Sequence, residues 1–324
     1  MKKFIFSLVC ALMVIAVYPR VFSFVYCWVP AKWWNERIAY GQVRDIYHPR
    51  NQDYQSLQKF LDKGRRSKLA RLNDMEKRVR NFCLIGKKAD EVPQYGKVAV
   101  NCQDNEKENC LLVYASFNKA YSEGLKKLVD FVSKSDFKGH ILYRIGGWPN
   151  VEEGDLKLAH VPYAFKPCFF KEAQRLGYKR ALWLDTSITP VASLNQIFEE
   201  ISSKGYFTLG NGQMVAPSMN SQAAAALQTT LTECEKIPSC SAGLFGVDFS
   251  NETAAHVMDR WYQAARDPDA FFSARSDQNA LSIILYQEGC QKWPPTSALV
   301  EAHQPLSENT LFIIDRGFVQ KHTK

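Results

Sequence analysis

Tyr178-Lys179-Arg180-Ala181-Leu182-Trp183-Leu184-Asp185-Thr186-Ser187 is an apolar run that stops abruptly in a carboxylate and two hydroxyls. Its four central residues, 181–184, read as a buried strand. A helical pattern over 163–176, closed by Gly177, precedes it, and another helix follows from Ser193. Helix, strand, helix is the rhythm of an open α/β sheet, in which ligands sit just beyond the carboxyl ends of the strands. Asp185 and Ser187 stand at that place, two positions apart and so on one side of an extended chain. A carboxylate with a second oxygen ligand beside it suits a divalent cation that bridges a diphosphate.

Working outward, residues 110–115 read as a first strand that ends in Ser116-Phe117-Asn118. Tyr121, Leu125, Leu128, Val129 and Val132 then recur at helical spacing. A strand at 140–145 runs into Gly146-Gly147-Trp148-Pro149. Ser193 with Gln196 three residues later fits a capping box. Beyond it come a short strand at 206–209, a turn at Gly210-Asn211-Gly212 and a helix over 221–233. A strand at 241–249, helices at 251–266 and 277–287, and a last strand at 311–314 complete the pattern. The expected fold is α/β, with a mostly parallel sheet flanked by helices. The glycines at 146–147 lack the Gly-Lys-Ser/Thr of a P-loop, and no Gly-x-Gly-x-x-Gly follows a strand, so nucleotide folds of those two kinds have no support.

The chain has 324 residues and a net charge of +8. The excess is confined to one part: residues 1–110 hold 20 Lys and Arg against 11 Asp and Glu, and the rest holds 21 against 22. Lys2-Lys3 followed by the apolar run 4–17 and the Tyr18-Pro19 break has the form of an export signal, with Ser23 as the preferred cleavage point. The renewed apolar patch at 21–29 would convert it into an uncleaved anchor. Three segments result: signal peptide or membrane anchor (1–23), basic helical stem and loops (24–109), and the α/β domain (110–324). Exported or membrane-associated localisation follows, with the basic stem able to rest on anionic lipid. Nucleic acid is not an expected partner, since no zinc-finger spacing, basic heptad or aromatic-glycine RNA motif is present. Eight cysteines remain after the signal. Cys234 with Cys240, and Cys102 with Cys110, flank loops that a disulfide would close; buried reduced thiols fit the same spacing.

From about residue 111 to 289 the chain resembles the GT-A nucleotide-diphospho-sugar transferase superfamily. The resemblance rests on Tyr114-Ala115-Ser116-Phe117-Asn118, Lys166-Pro167, Leu182-Trp183-Leu184-Asp185, Ala242-Gly243-Leu244-Phe245-Gly246 and Asp277-Gln278, in that order. It is similar to bacterial members that carry a Trp-Leu-Asp segment and a late Asp-Gln helix. The resemblance implies a glycosyltransferase moving a sugar from a nucleotide-diphosphate donor to a glycan, lipid or protein hydroxyl. Ser116, Phe117, Asn118, Lys166, Asp185 and Ser187 would meet the donor, and Asp277 and Gln278 would carry the chemistry at the sugar. Trp148, Gly243 and Gly246 would line the acceptor side. Asp185, Ser187 and His303 would hold Mn2+ or Mg2+. Ser187 stands where the family's Asp-x-Asp signature has its second carboxylate, and a neutral hydroxyl draws a cation far less strongly. A catalytically degenerate carbohydrate- or nucleotide-binding relative is the alternative. Without metal, Lys166 or Arg275 would have to meet the charge of the leaving group. Among the plain structural readings, Asp277 serves the first turn of a helix that Ser276 caps, and Trp183 and Trp261 belong to the core.

Overall fold

Strict alternation along two strands divides the core into two. In Asn109–Ala115 (β2), Cys110, Leu112 and Tyr114 face one way and Leu111, Val113 and Ala115 the other, all buried. Arg180–Leu184 (β4) repeats the pattern with Ala181 and Trp183 against Leu182 and Leu184. Strands apolar on both faces belong in the middle of a sheet covered on both sides, and that is where the computed structural model has them. It describes residues 94–115, 119–146, 148–153, 155–158, 161, 163–267 and 269–315. The signal or anchor expected at 1–23, most of the expected stem, and Ser116, Phe117 and Asn118 lie outside the described residues.

The main sheet has six strands. Gln94–Val100 (β1) pairs antiparallel with Gly139–Ile145 (β3), which runs parallel to β2; β2 in turn runs parallel to β4. Pro238–Asp248 (β7) is antiparallel to β4, and Tyr206–Met214 (β6) is antiparallel to β7 at the far edge. The sheet is therefore mixed, parallel at its centre and antiparallel on both flanks. Lys119–Ser133 (α1) and Leu194–Lys204 (α3) cover one face. Phe165–Arg175 (α2), Glu252–Arg266 (α6) and Ser276–Gln287 (α7) cover the other, with Trp261, Phe245 and Leu281 in that half of the core. Among the described residues no helix is long and apolar enough to cross a membrane.

Several expectations need correction. Residues 94–100, read as loop, form the edge strand β1. The Gly210-Asn211-Gly212 turn is instead the bulged continuation of β6, whose register shifts twice between Thr208 and Met214. The single helix at 221–233 is two, Ser221–Ala226 (α4) and Leu231–Cys234 (α5), parted where Gln228 takes φ 56°. Ser193 caps α3 through the Asn195 amide, and Asn251 caps α6 through the Ala254 amide. The six described cysteines are free thiols, so neither the 102–110 nor the 234–240 bridge is formed. Burial pushes the Cys240 thiol up to about 12.

The small strand Ile188–Pro190 (β5) leaves the main sheet just after β4. It pairs antiparallel with Phe312–Ile314 (β9), which runs parallel to Leu299–Glu301 (β8). The end of the described chain is thus folded back against the turn that follows β4.

Candidate functional site

The turn at the carboxyl end of β4 is fixed by backbone bonds. The Asp185 amide donates to Gly243 O at 2.8 Å, the Ile188 amide returns to Asp185 O at 2.9 Å, and the Asp315 amide caps Ser187 O at 2.9 Å. Because β7 is antiparallel to β4, Asp185 lies beside the body of β7. A Cβ on Gly243 would stand 2.7 Å from Asp185 Oδ2, far inside contact distance. Only glycine leaves the carboxylate its place there.

Three charged side chains from three elements meet at this turn. Lys166, in the first turn of α2, sends its ammonium across the end of the sheet. Its Nζ lies 3.0 Å from Ala242 O, 2.8 Å from Asp277 Oδ2 and 3.4 Å from Asp185 Oδ1. An ammonium has three protons, and three protein oxygens surround this one. The Tyr163 and Trp183 rings flank it at 5.4 and 5.6 Å from their centroids, within cation–π range. Trp183 Nε1 donates to Asp185 Oδ1 at 2.7 Å. The contact with Asp277 is of hydrogen-bond length, yet Asp277 Oδ2 is a buried oxygen with no aligned donor. The attraction between it and the ammonium is chiefly Coulombic.

The Lys166 and Asp277 side chains are 5% and 7% exposed, whereas that of Asp185 is 41% exposed. The cluster thus has a closed inner side and one open carboxylate. Burial by itself would lower the Lys166 pKa, but the facing charges of Asp185 and Asp277 outweigh it and hold the ammonium above lysine's ordinary value. Lys166 therefore keeps its proton throughout the neutral range and beyond lysine's ordinary value. One ammonium against two carboxylates leaves the cluster one negative charge in excess.

Asp277 sits in the first turn of α7, where the helix dipole favours an anion. The helix does not begin as expected: Arg275 is the N-cap residue and makes no side-chain cap bond, while the Ser276 hydroxyl is buried without a partner. The next residues anchor α7 in place. Asn279, fully buried, bonds to Ser218 O and Ser273 Oγ, both at 3.0 Å, and Ser282 Oγ accepts from the Cys240 amide. Gln278, half-buried, donates to Ser239 Oγ at 2.9 Å; Asn211 of β6 donates to the same oxygen at 3.1 Å.

Lys166, Asp185, Asp277 and Gly243 are therefore together, with Ser187 two residues along the same turn and Gln278 next to Asp277 on α7. His303 lies exposed in the turn after β8. The pairing of β8 and β5 with β9 brings this turn to the same end of the small sheet as Ser187. Among the described residues no three His, Cys, Asp or Glu side chains gather as an ion would need.

Two residues read as acceptor-side lie within the core. Trp148 is fully buried and packs edge-on to Phe165 at 6.3 Å; with no exposed face, it has none to offer a sugar. Gly246 lies inside the sheet between Leu182 and Phe207, where a Cβ would come 2.4 Å from Ile201 Cδ1. It is a packing glycine beneath α3. Tyr163, Asn211, Ser239 and the Ala242 carbonyl went unnoticed in the sequence. Nothing local marks them: Asn211, Ser239 and Ala242 reach the site through long-range pairing of β6, β7 and α7, and Tyr163 through the turn that opens α2.

Among the described residues two cavities lie elsewhere, at the amino ends of β2 and β4. One of about 190 Å3 is lined by Cys102, Glu106, Lys138 and Arg180, and an adjoining one of about 370 Å3 by Asn109, Asn195 and Glu199. Their charges are paired: Arg180 with Asp248 and Glu108, Lys138 with Glu106. In an open sheet with a parallel centre the carboxyl ends carry ligands, and the converging charges are there too. No family model matches the sequence, and no curated protein matches it.

Proposed function

We propose that the chain is a glycosyltransferase with a GT-A-like domain, moving a sugar from a nucleotide-diphosphate donor to an acceptor hydroxyl. The observation that carries this reading is the buried Lys166 ammonium held between Asp185 and Asp277 at the carboxyl end of β4. Stability alone gives no reason for such a cluster. Desolvation costs several kcal/mol per ion, and buried ion groups replaced by apolar residues often leave a protein as stable or more so. A buried charge cluster that opens through one carboxylate at a ligand-bearing strand end is explained by chemistry at that point.

In this reading Asp185 is the anchor for the donor diphosphate. Its Oδ1 is engaged by Trp183 and Lys166, and its Oδ2 lies towards Gly243. One open carboxylate, the Ser187 hydroxyl on the same turn and His303 at the end of the small sheet are donor types that fit Mn2+ or Mg2+. When bound, such an ion would supply positive charge against the departing diphosphate. The excess negative charge of the cluster favours a cation there. Lys166 acts as the fixed counter-charge that holds both carboxylates in place. Asp277 and Gln278 form the wall nearest the sugar, with Asp277 the candidate base for the acceptor hydroxyl. The acceptor would be a glycan, lipid or protein outside the cytoplasm or at a membrane surface, as the N-terminal segment implies.

One observation favours a second reading, a degenerate relative that binds nucleotide or carbohydrate without turnover. The Lys166 ammonium is buried and ringed by three protein oxygens, so it is not open to a leaving group. Screening UDP-, GDP- and CDP-sugars with and without Mn2+, by calorimetry and by release of the nucleoside diphosphate, separates the cases. Release that Asp185→Ala abolishes supports transfer. Binding without release supports the degenerate reading, and no binding at all defeats both.

A further inference from the structure

Strand β7 outlasts its neighbour. The last pair that β4 makes with it joins Leu184 to Leu244, but β7 begins six residues earlier, at Pro238, and β6 follows it out as far as Met214. Residues 238–243 and the bulged end of β6 therefore stand beyond the end of β4, where an open sheet with a parallel centre holds its ligands.

Three neutral side chains from three elements are joined on this flank. Ser239 Oγ of β7 accepts from Gln278 Nε2 of α7 at 2.9 Å and from Asn211 Nδ2 of β6 at 3.1 Å. Two links tie the group to the charge cluster. Gln278 follows Asp277 directly, and Ser239 stands three residues before Ala242, whose carbonyl meets Lys166 Nζ at 3.0 Å. At the rise of an extended strand that separation is about 10 Å. The half-buried Trp293 lies beside the group: a Cβ on Gly210, next to Asn211, would come 3.5 Å from its Cε3.

The hydrogen-bonding capacity of the three side chains is only partly used. A hydroxyl accepts twice and donates once. Ser239 accepts twice and is 1% exposed, and among the described residues nothing accepts its proton. Asn211 spends one N–H on Ser239 and takes the Gln213 amide on Oδ1 at 3.0 Å, which leaves its second N–H. Gln278 keeps its second N–H, and its Oε1 has no partner among the described residues. Both amide residues are only half-buried. Donors and acceptors are thus mixed in one uncharged strip beside an indole. A diphosphate, a lipid headgroup or a charged peptide calls for opposite charge. A sugar ring, whose hydroxyls each donate and accept and whose C–H face suits an aromatic neighbour, matches what is offered.

We propose that Asn211, Ser239 and Gln278 form the acceptor subsite, and that the acceptor is a carbohydrate whose ring hydroxyls they read. The inference rests on the reading of the site as a glycosyltransferase and narrows its acceptor from glycan, lipid or protein to glycan. The donor diphosphate belongs at Asp185 and the donor sugar at Asp277 and Gln278. The strip continues from Gln278 outward along β7, on the side where the receiving ring has to lie.

The full-length chain and its Asn211→Ala and Ser239→Ala variants provide the test, titrated by calorimetry with lactose, maltotriose, cellotriose and chitotriose and, separately, with UDP, GDP and CDP. Wild type should bind at least one of the saccharides. Each variant should lose about fivefold to tenfold in affinity for it, the loss expected when hydrogen bonds go unmade. Affinity for the diphosphate that wild type binds should stay within about twofold, as for a separate site. Asn211→Ala should melt within about 2 °C of wild type, so it carries the test if Ser239→Ala is less stable. Saccharide affinity unchanged in Asn211→Ala overturns the subsite and leaves the nucleotide site standing. An equal loss for the diphosphate assigns these residues to the donor and also overturns it. A wild-type chain that binds a diphosphate but none of the saccharides overturns the carbohydrate acceptor alone; one that binds no diphosphate defeats the transfer reading and the acceptor role with it.

Discussion

The two ends of the central strands hold charge in opposite ways. At the amino ends Glu106, Glu108, Lys138 and Arg180 are numerous, mostly exposed and mutually paired around open cavities. At the carboxyl end three charges are drawn into the protein, the only ones exposed to any degree belonging to Asp185. Exposed pairs contribute little, about 0–1 kcal/mol each, and their removal is felt weakly. Buried, unequal charges resist rearrangement and keep a field in place. Open, paired charge at one end of the strands and buried, unequal charge at the other are therefore separate in this molecule.

Substitutions at the two ends should separate in the same way. The largest effect is expected from Asp185→Ala, which removes the open carboxylate: donor turnover should fall about a thousandfold or more with the circular dichroism spectrum unchanged. Retained turnover would erase the distinction between the ends. Lys166→Met should come next, costing about 3–5 kcal/mol in denaturant unfolding because two carboxylates lose their counter-charge. Adding Asp277→Leu should restore most of that stability but not activity; a double variant as unstable as the single one would show that packing, not charge, is at stake.

The two glycines sharpen the contrast on a smaller scale. Gly243→Ala would press on Asp185 Oδ2, and Gly246→Ala on Ile201. The first should lower turnover about tenfold or more with a small change in melting temperature. The second should cost about 1–3 kcal/mol of stability by overpacking and leave the turnover of the folded protein as it was. The opposite pattern would misplace the site. Smallest of all, Lys138→Ala at the amino end should leave both turnover and stability within about 0.5 kcal/mol of wild type.

A titration separates the ends further. The folded-state pKa of Lys166 lies above its unfolded value. Its contribution to stability is therefore complete below about 10.4, the ordinary lysine value, and is lost only as pH rises through the folded pKa. Melting temperature should show no Lys166-dependent change between pH 6 and 9, and an alkaline fall that begins only above about pH 10.4 and that Lys166→Met lacks.

The sequence revealed those features whose cause is local. The apolar stretch before Asp185, the helix that Gly177 ends and the Asn251 start of α6 all come from short-range patterning and were legible. Strand β1 was not: as an edge strand it has only one residue, Val100, buried, so its alternation is faint. The bulges in β6 hid behind a Gly-Asn-Gly that looks like a turn, and Gln228 interrupts a helical stretch with no glycine to announce it. At the site, Asp185 was readable from its place after the strand. The grip of Lys166 on Asp277 and Ala242 was not, because it depends on β7 running antiparallel beside β4. Trp148 misled for a related reason: glycine and proline neighbours suggest a surface loop, while the fold tucks that loop under α2.

The seating of β9 has a consequence for biosynthesis. The turn bearing Asp185 and Ser187 is braced by residues 312–315, far downstream in the sequence. A nascent polypeptide emerging from the ribosome can assemble the parallel centre early, yet the brace over that turn arrives only after a long further stretch of chain has been made. Until then the loop that carries the exposed carboxylate has no partner strand to hold its shape.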